Sequence, residues 1–342
     1  MNARAALKTA VPVIARYSGI GKALAVRYRG SGVIFMLHSI VGASASSLED
    51  LRCPIDTLEQ TLVWLKRAGF AFVSLEEAVK RLGDPCRGRF CAFTFDDGYA
   101  DNLTRALPLM EQFAAPFTVY VCTGMMTGEI DAWWLGLAAL IRKHDKVDIP
   151  ELGLRFDCAD EAGKRRTYAA IAARVHADYD ALDPVKTAIA AAGIDCGALA
   201  KREALSTAQL RQLAASPMVT VGAHTMRHIN LAHATADAVE REMLGSRRIL
   251  EDLLSCEVVH FAYPFGNANA CGEREAKIAR AAGFRTAVTT RRGTLFPNHR
   301  DHLYALPRES LTGADTPTTL QCKLGGLGRA FQSRLGDPVA RM

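Results

Sequence analysis

The sequence has no uninterrupted apolar run long enough for a membrane span or a signal-peptide core, so neither secretion nor membrane insertion is expected. It has no CxxC pair. Its nine cysteines (Cys53, Cys86, Cys91, Cys122, Cys158, Cys196, Cys256, Cys271 and Cys322) are odd in number and scattered. They read as reduced thiols of a cytoplasmic protein, with no cysteine-based zinc site. The absence of GxSxG, GxxxxGK[ST] and HExxH removes nucleophile-elbow hydrolases, phosphate-loop enzymes and zincin proteases. Basic residues lie dispersed among nearly as many acids, with little aromatic interleaving, so a net charge of +6 does not point to nucleic acid. There is no internal repeat beyond a strand–helix rhythm, and no low-complexity linker.

What is present is a chain of 342 residues, 49% hydrophobic, enough for one large core or two modest ones. From Gly32 onward short apolar runs (GVIFMLH, FAFVS, RFCAFTF, PFTVYVCT) alternate with segments of helical periodicity. The rhythm resumes with MVTVGAH, VVHFAYPFG and RTAVTT, each separated by a helical stretch. Such alternation predicts a parallel α/β sheet, and this length suits a barrel, with its active site at the C-terminal strand ends. Residues 125–205 break the pattern and read as an inserted helical subdomain. Its Trp133–Trp134 pair suits either a sugar-stacking platform or an anchor between insertion and barrel. The expected organisation is a basic N-terminal helical arm over 1–30, one domain over 31–320 and a C-terminal tail over 321–342. The arm interleaves apolar residues with Arg4, Lys8, Arg16, Lys22, Arg27 and Arg29. That pattern permits packing on the domain or contact with an anionic membrane surface.

Four strand ends carry polar residues unsuited to burial: Met36-Leu37-His38, Phe95-Asp96-Asp97-Gly98, Gly222-Ala223-His224 and Tyr263-Pro264-Phe265-Gly266. Adjacent carboxylates at the end of a buried strand cost several kcal/mol unless water, a cation or a metal compensates. The segment His224-Thr-Met-Arg-His228 sets two histidines four residues apart, able to share one cation if the chain turns helically there. Two imidazoles and one carboxylate form a facial ligand set with open positions, the mark of a catalytic site.

TFDDG, HTxxH and the YPFG strand end together resemble the signature motifs of NodB-type polysaccharide deacetylases, the fourth family of carbohydrate esterases. The likeness spans roughly residues 31–310. It implies a distorted (β/α) barrel that removes N-acetyl groups from N-acetylglucosamine-type glycans with one divalent metal, zinc foremost, with cobalt, nickel or iron as alternatives. It implies Asp97, His224 and His228 as ligands, Asp96 as general base and the backbone N–H of Phe265 as oxyanion donor. Two departures stand out. Many members carry an arginine two residues before the motif's proline, where this chain has Ala262; Arg308, in LPRES after the last strand, is the substitute. Many members also take a general acid from a C-terminal Leu-x-His, which is absent here. FMLHSI is similar to the first strand of the poly-N-acetylglucosamine deacetylase branch, whose motif order is permuted, and this assigns the acid to His38. Asn102 reads as a helix-start or supporting hydrogen-bonding residue and Asp101 as solvated. The substrate implied is an acetylated polysaccharide, oligosaccharide or lipid-linked glycan, met in the cytoplasm or at its membrane face. The alternatives are a glycan-binding descendant without turnover, and a hydrolase of non-sugar amides or O-acetyl esters.

Overall fold

The computed structural model describes residues 26–43, 48, 51–84, 88–326, 329–330, 333, 336–340 and 342. Most of the N-terminal arm (1–25) and Cys86 lie outside the described residues. Eight parallel strands form one sheet: β1 (Gly32–Leu37), β2 (Ala71–Phe72), β3 (Phe90–Phe95), β4 (Phe117–Val121), β5 (Val219–Ala223), β6 (His260–Ala262), β7 (Thr286–Val288) and β8 (Glu309–Ser310). Their order is β7-β6-β5-β4-β3-β1-β8, with β2 beside β3. The free edges curl toward each other, where Val288 pairs with Leu306 just ahead of β8. This is a distorted (β/α) barrel.

Side-chain alternation along the strands builds two cores. Val33, Phe35, Leu37, Cys91, Phe93, Phe95, Phe117, Val119 and Val121 pack outward against the helices. Ile34, Ala92, Tyr120, Ala262, Val288 and Leu306 fill the inside. The interior is tight: a Cβ on Gly222 would sit 2.5 Å from the Tyr120 ring and 3.0 Å from the His260 carbonyl, so β5 needs glycine there. Helices such as Ile55–Arg67 and Leu75–Leu82 bury one face and return the chain to the barrel's N-terminal side.

The insertion has its own core of Leu137, Ile141, Val147, Ile171, Val175, Val185 and Ile189. It is not wholly helical. Lys146–Ile149 and Leu154–Asp157 form an antiparallel hairpin turned by Gly153, in which Val147 and Ile149 are buried between exposed Lys146 and Asp148. That four-residue alternation is legible, but it is short beside the helical runs around it. A second correction concerns LPRES: it does not follow the last strand but contains it, since Glu309 and Ser310 pair with Phe35 and Met36. At the chain's far end, Leu320, Leu324, Ala330 and Val339 are buried, so the described part of the tail packs on the domain. No helix among the described residues is long and apolar enough to cross a membrane.

Candidate metal and catalytic site

The C-terminal rim of the barrel brings His38, Asp96, Asp97, His224, His228 and Phe265 around one cleft of about 420 Å³. Asp96 continues the pairing of β3, its N–H donating to Leu37 O at 2.9 Å. Asp97 then adopts φ 73°, in the left-handed region. This left-handed turn, rather than the alternation of an extended strand, separates the two side chains.

The carboxylate of Asp96 points into the barrel, where the buried guanidinium of Arg308 grips both its oxygens at 2.7 Å. Arg308 also donates to Thr94 Oγ1 at 3.0 Å and Thr289 O at 2.9 Å, so the fork cannot swing away. Burial by itself would raise the Asp96 carboxyl, but Arg308, with His224 and His38, outweighs it and holds the group well below the usual carboxylate range.

Asp97 faces the other way. Its Oδ1 lies 3.5 Å from Nε2 of His224 and 3.5 Å from Nε2 of His228, and one ligand atom from each residue falls within 4.8 Å of the others. Burial and the neighbouring Asp96 charge push the Asp97 carboxyl well above its ordinary value. Burial lowers both histidines, His228 the more strongly because His224 and His38 add to it. His224 Nδ1 is 2.8 Å from Ala262 O, an arrangement that makes Nδ1 the donor and leaves Nε2 a lone pair. Asp97 Oδ1 and His228 Nδ1 are buried without a hydrogen-bond partner among the described residues. An orphaned carboxylate oxygen beside two neutral imidazoles is what a divalent cation's ligand set requires. The histidines are not on the expected helical turn. Thr225 (φ 63°) and His228 (φ 53°) fold the segment into a left-handed loop that sets the rings 5.0 Å apart.

His38, at the end of β1, places Nε2 3.9 Å from Asp96 Oδ2. Burial, the largest influence, lowers its pKa to about 4. Asn102 Nδ2 donates to the His38 carbonyl at 2.9 Å, the supporting role expected of it, from a wide π-helical turn over Asn102–Ala106. Asp101 is not solvated: it accepts from Ser39 Oγ at 2.6 Å and Ile40 N at 2.9 Å, pinning the chain just after His38. Phe265 is also left-handed (φ 60°), and its N–H donates to no group among the described residues. Left-handed, non-glycine backbone thus occurs at Asp97, Thr225, His228 and Phe265, the kind of local strain that collects at functional sites.

Of the two tryptophans, Trp133 packs into the insertion, whereas Trp134 ties it to the barrel and also lines the cleft. Trp133 is 3% exposed within the insertion's core, too buried for a sugar platform. Trp134 donates Nε1–H to Tyr99 Oη at 2.9 Å, and its ring lies 4.8 Å from that of His228. Tyr99 and Asp97 line the same cleft. Trp134 and His176, both from the insertion, also line the cleft.

The sequence model of the family described as polysaccharide deacetylase matches residues 84–287. The Bacillus subtilis protein YxkH, a polysaccharide deacetylase by name, is 23% identical over 278 residues, covering 80% of this chain and 69% of YxkH. Among solved structures, the Streptococcus pyogenes deacetylase PplD in complex with acetate superposes with a TM-score of 0.55 at 20% identity, covering 85% of this chain and 97% of PplD. IcaB from Ammonifex degensii gives 0.52 at 17% identity, covering 86% and 97%.

Proposed function

Because this chain belongs to the polysaccharide deacetylase family, we propose that it hydrolyses the N-acetyl group of an N-acetylglucosamine-type sugar within a glycan. The observation that carries the reading is the division of Asp96 and Asp97: one gripped by Arg308, the other facing His224 and His228. Asp97, His224 and His228 would hold one divalent cation, with zinc the first candidate for a site of nitrogen and oxygen donors. When bound, such a cation supplies Lewis acidity that brings the pKa of water toward neutrality and polarises the acetamide carbonyl.

The chain's own residues then handle the proton and the oxyanion. Asp96, kept ionised by Arg308, accepts the proton of the attacking water. The Phe265 N–H, without another acceptor among the described residues, donates to the oxygen that gains charge as the tetrahedral intermediate forms. Asp96 is a weak base in this setting, so it does not keep the proton. His38, neutral at rest and 3.9 Å away, takes it on and delivers it to the leaving amine, releasing acetate. Asn102 and Asp101 fix the backbone on either side of the His38–Ser39 peptide for that transfer. We place the reaction in the cytoplasm or at its membrane face, a location supported by nine cysteines that are odd in number, scattered and never spaced as CxxC.

The test is acetate release from N-acetylglucosamine oligomers by metal-stripped protein, before and after zinc or cobalt is restored. Activity should be absent in the first state and present in the second. Tight oligomer binding with no acetate under either condition supports the glycan-binding alternative. Acetate released only from O-acetyl esters moves the reading to the ester-hydrolase alternative.

A further inference from the structure

The structure assigns Glu242 as the residue that positions the two histidines for metal, an inference that rests on reading Asp97, His224 and His228 as the cation site. The loop carrying both histidines is strained. Thr225 and His228 have φ 63° and 53°, a conformation that costs residues with side chains of order 1–3 kcal/mol and persists only where the surroundings over-determine it. Met226 and Arg227, between them, are the points of restraint. Both of their backbone N–H groups donate to Glu242 Oε2, at 2.9 and 3.0 Å, and Arg227 Nε donates to Oε1 at 2.7 Å. From the opposite side, Gly124 N donates to Met226 O at 2.7 Å and Thr123 N to Thr225 O at 3.3 Å.

The placement of Glu242 is costly in any other role. It lies fully buried on the helix Ala236–Leu254, on the face made by Val239, Met243, Ser246 and Leu250. An apolar side chain would pack there without the desolvation penalty of a carboxylate. A carboxyl group offers an acceptor on each side, one oxygen here taking two backbone donors and the other a guanidinium. Neighbouring glycines leave room for the clasp. A Cβ at Gly124 would collide with Met226 O, and one at Gly245 would lie 2.5 Å from Met226 Sδ. Glu242 touches neither cleft nor ligand atoms, so it acts through the loop, as outer partners of metal sites do.

The test is titration of the metal-stripped full chain with Co²⁺, following visible absorption and the metal-induced rise in Tm. Glu242→Gln keeps the volume but turns one acceptor into a donor, aimed either at the backbone N–H groups or at the Arg227 guanidinium. It should weaken Co²⁺ binding by about 10–100-fold and alter the cobalt spectrum. Arg227→Ala strips the guanidinium from Oε1 but leaves both backbone donors on Oε2, so it should weaken Co²⁺ binding less than Glu242→Gln does. A purely structural role predicts something else: lower metal-free stability, with unchanged Co²⁺ affinity in the folded fraction. Folded Glu242→Gln that binds Co²⁺ like wild type overturns the inference while leaving the metal site intact. Should Glu242→Gln fail to fold, Glu242→Asp, which retracts the carboxylate by one methylene, must show the same loss of affinity. Wild-type protein that binds no Co²⁺ overturns both the site and this role.

Discussion

Asp96 and Asp97 are neighbours in sequence and opposites in environment, and most of the site's chemistry follows from that difference. The motif residues Asp96, Asp97, His224 and His228 are legible in the sequence because polar groups at the ends of apolar strands demand a reason. Arg308 is legible only indirectly, through Ala262 standing where an arginine is usual. Glu242 leaves no signal at all: a glutamate in a helix containing Glu240 and Glu251 looks like any solvated residue until the fold buries it. The reading of Asp101 as solvated fails for the same reason, since its partners are 61 and 62 residues distant in sequence. The Arg308–Asp96 pair gives a prediction at this scale. Arg308→Leu strands a buried carboxylate and should cost about 3–5 kcal/mol of stability in urea unfolding. Asp96→Leu combined with Arg308→Leu removes both charges and should recover most of that loss. Simply additive losses would contradict the pairing.

Elements were legible where they are long and periodic. The six longer barrel strands and the helices between them follow the apolar rhythm of the sequence. The insertion's hairpin and the two-residue β8 do not: the hairpin's four-residue alternation lies among longer helical runs, and β8 sits in a polar LPRES stretch with no apolar run around it. Two buried histidines away from the site, one on β6 and one in the turn Pro297–Asp301, make stability pH-dependent. His260, on β6, is buried with Nδ1 2.8 Å from Thr286 Oγ1, and burial lowers its pKa from 6.5 to about 4 despite Glu76 nearby. His299 accepts the Phe296 N–H on Nδ1 at 2.9 Å, and burial lowers it likewise to about 4. Depressed histidines bind protons in the unfolded chain first. Their contribution is therefore intact above pH 6.5 and is lost as pH falls toward 4, on the order of 3 kcal/mol each. Unfolding midpoints in urea between pH 7 and pH 4.5 should fall steeply, and less steeply in His260→Gln; a flat profile would contradict the burial of these rings.

At the scale of the whole molecule, the alternation of strands and helices predicts a parallel barrel, and the family match and superpositions agree with it. How the barrel closes is not predictable from any one segment. It depends on Val288 meeting Leu306, and on β8 pairing with the first strand some 270 residues earlier. The insertion likewise reads as an appendage but sits at the candidate site, with Trp134 against His228 and hydrogen-bonded to Tyr99, which lines the same cleft. All these parts converge on one claim, that two adjacent aspartates divide metal binding from proton transfer. The most direct measurement determines bound Co²⁺ and released acetate in the same samples of wild type, Asp96→Asn and His224→Ala, supplied with N-acetylglucosamine oligomers. Asp96→Asn should retain bound metal while acetate release falls by at least about 100-fold, and His224→Ala should lose both. An Asp96→Asn protein that loses its metal, or that keeps releasing acetate, contradicts the division.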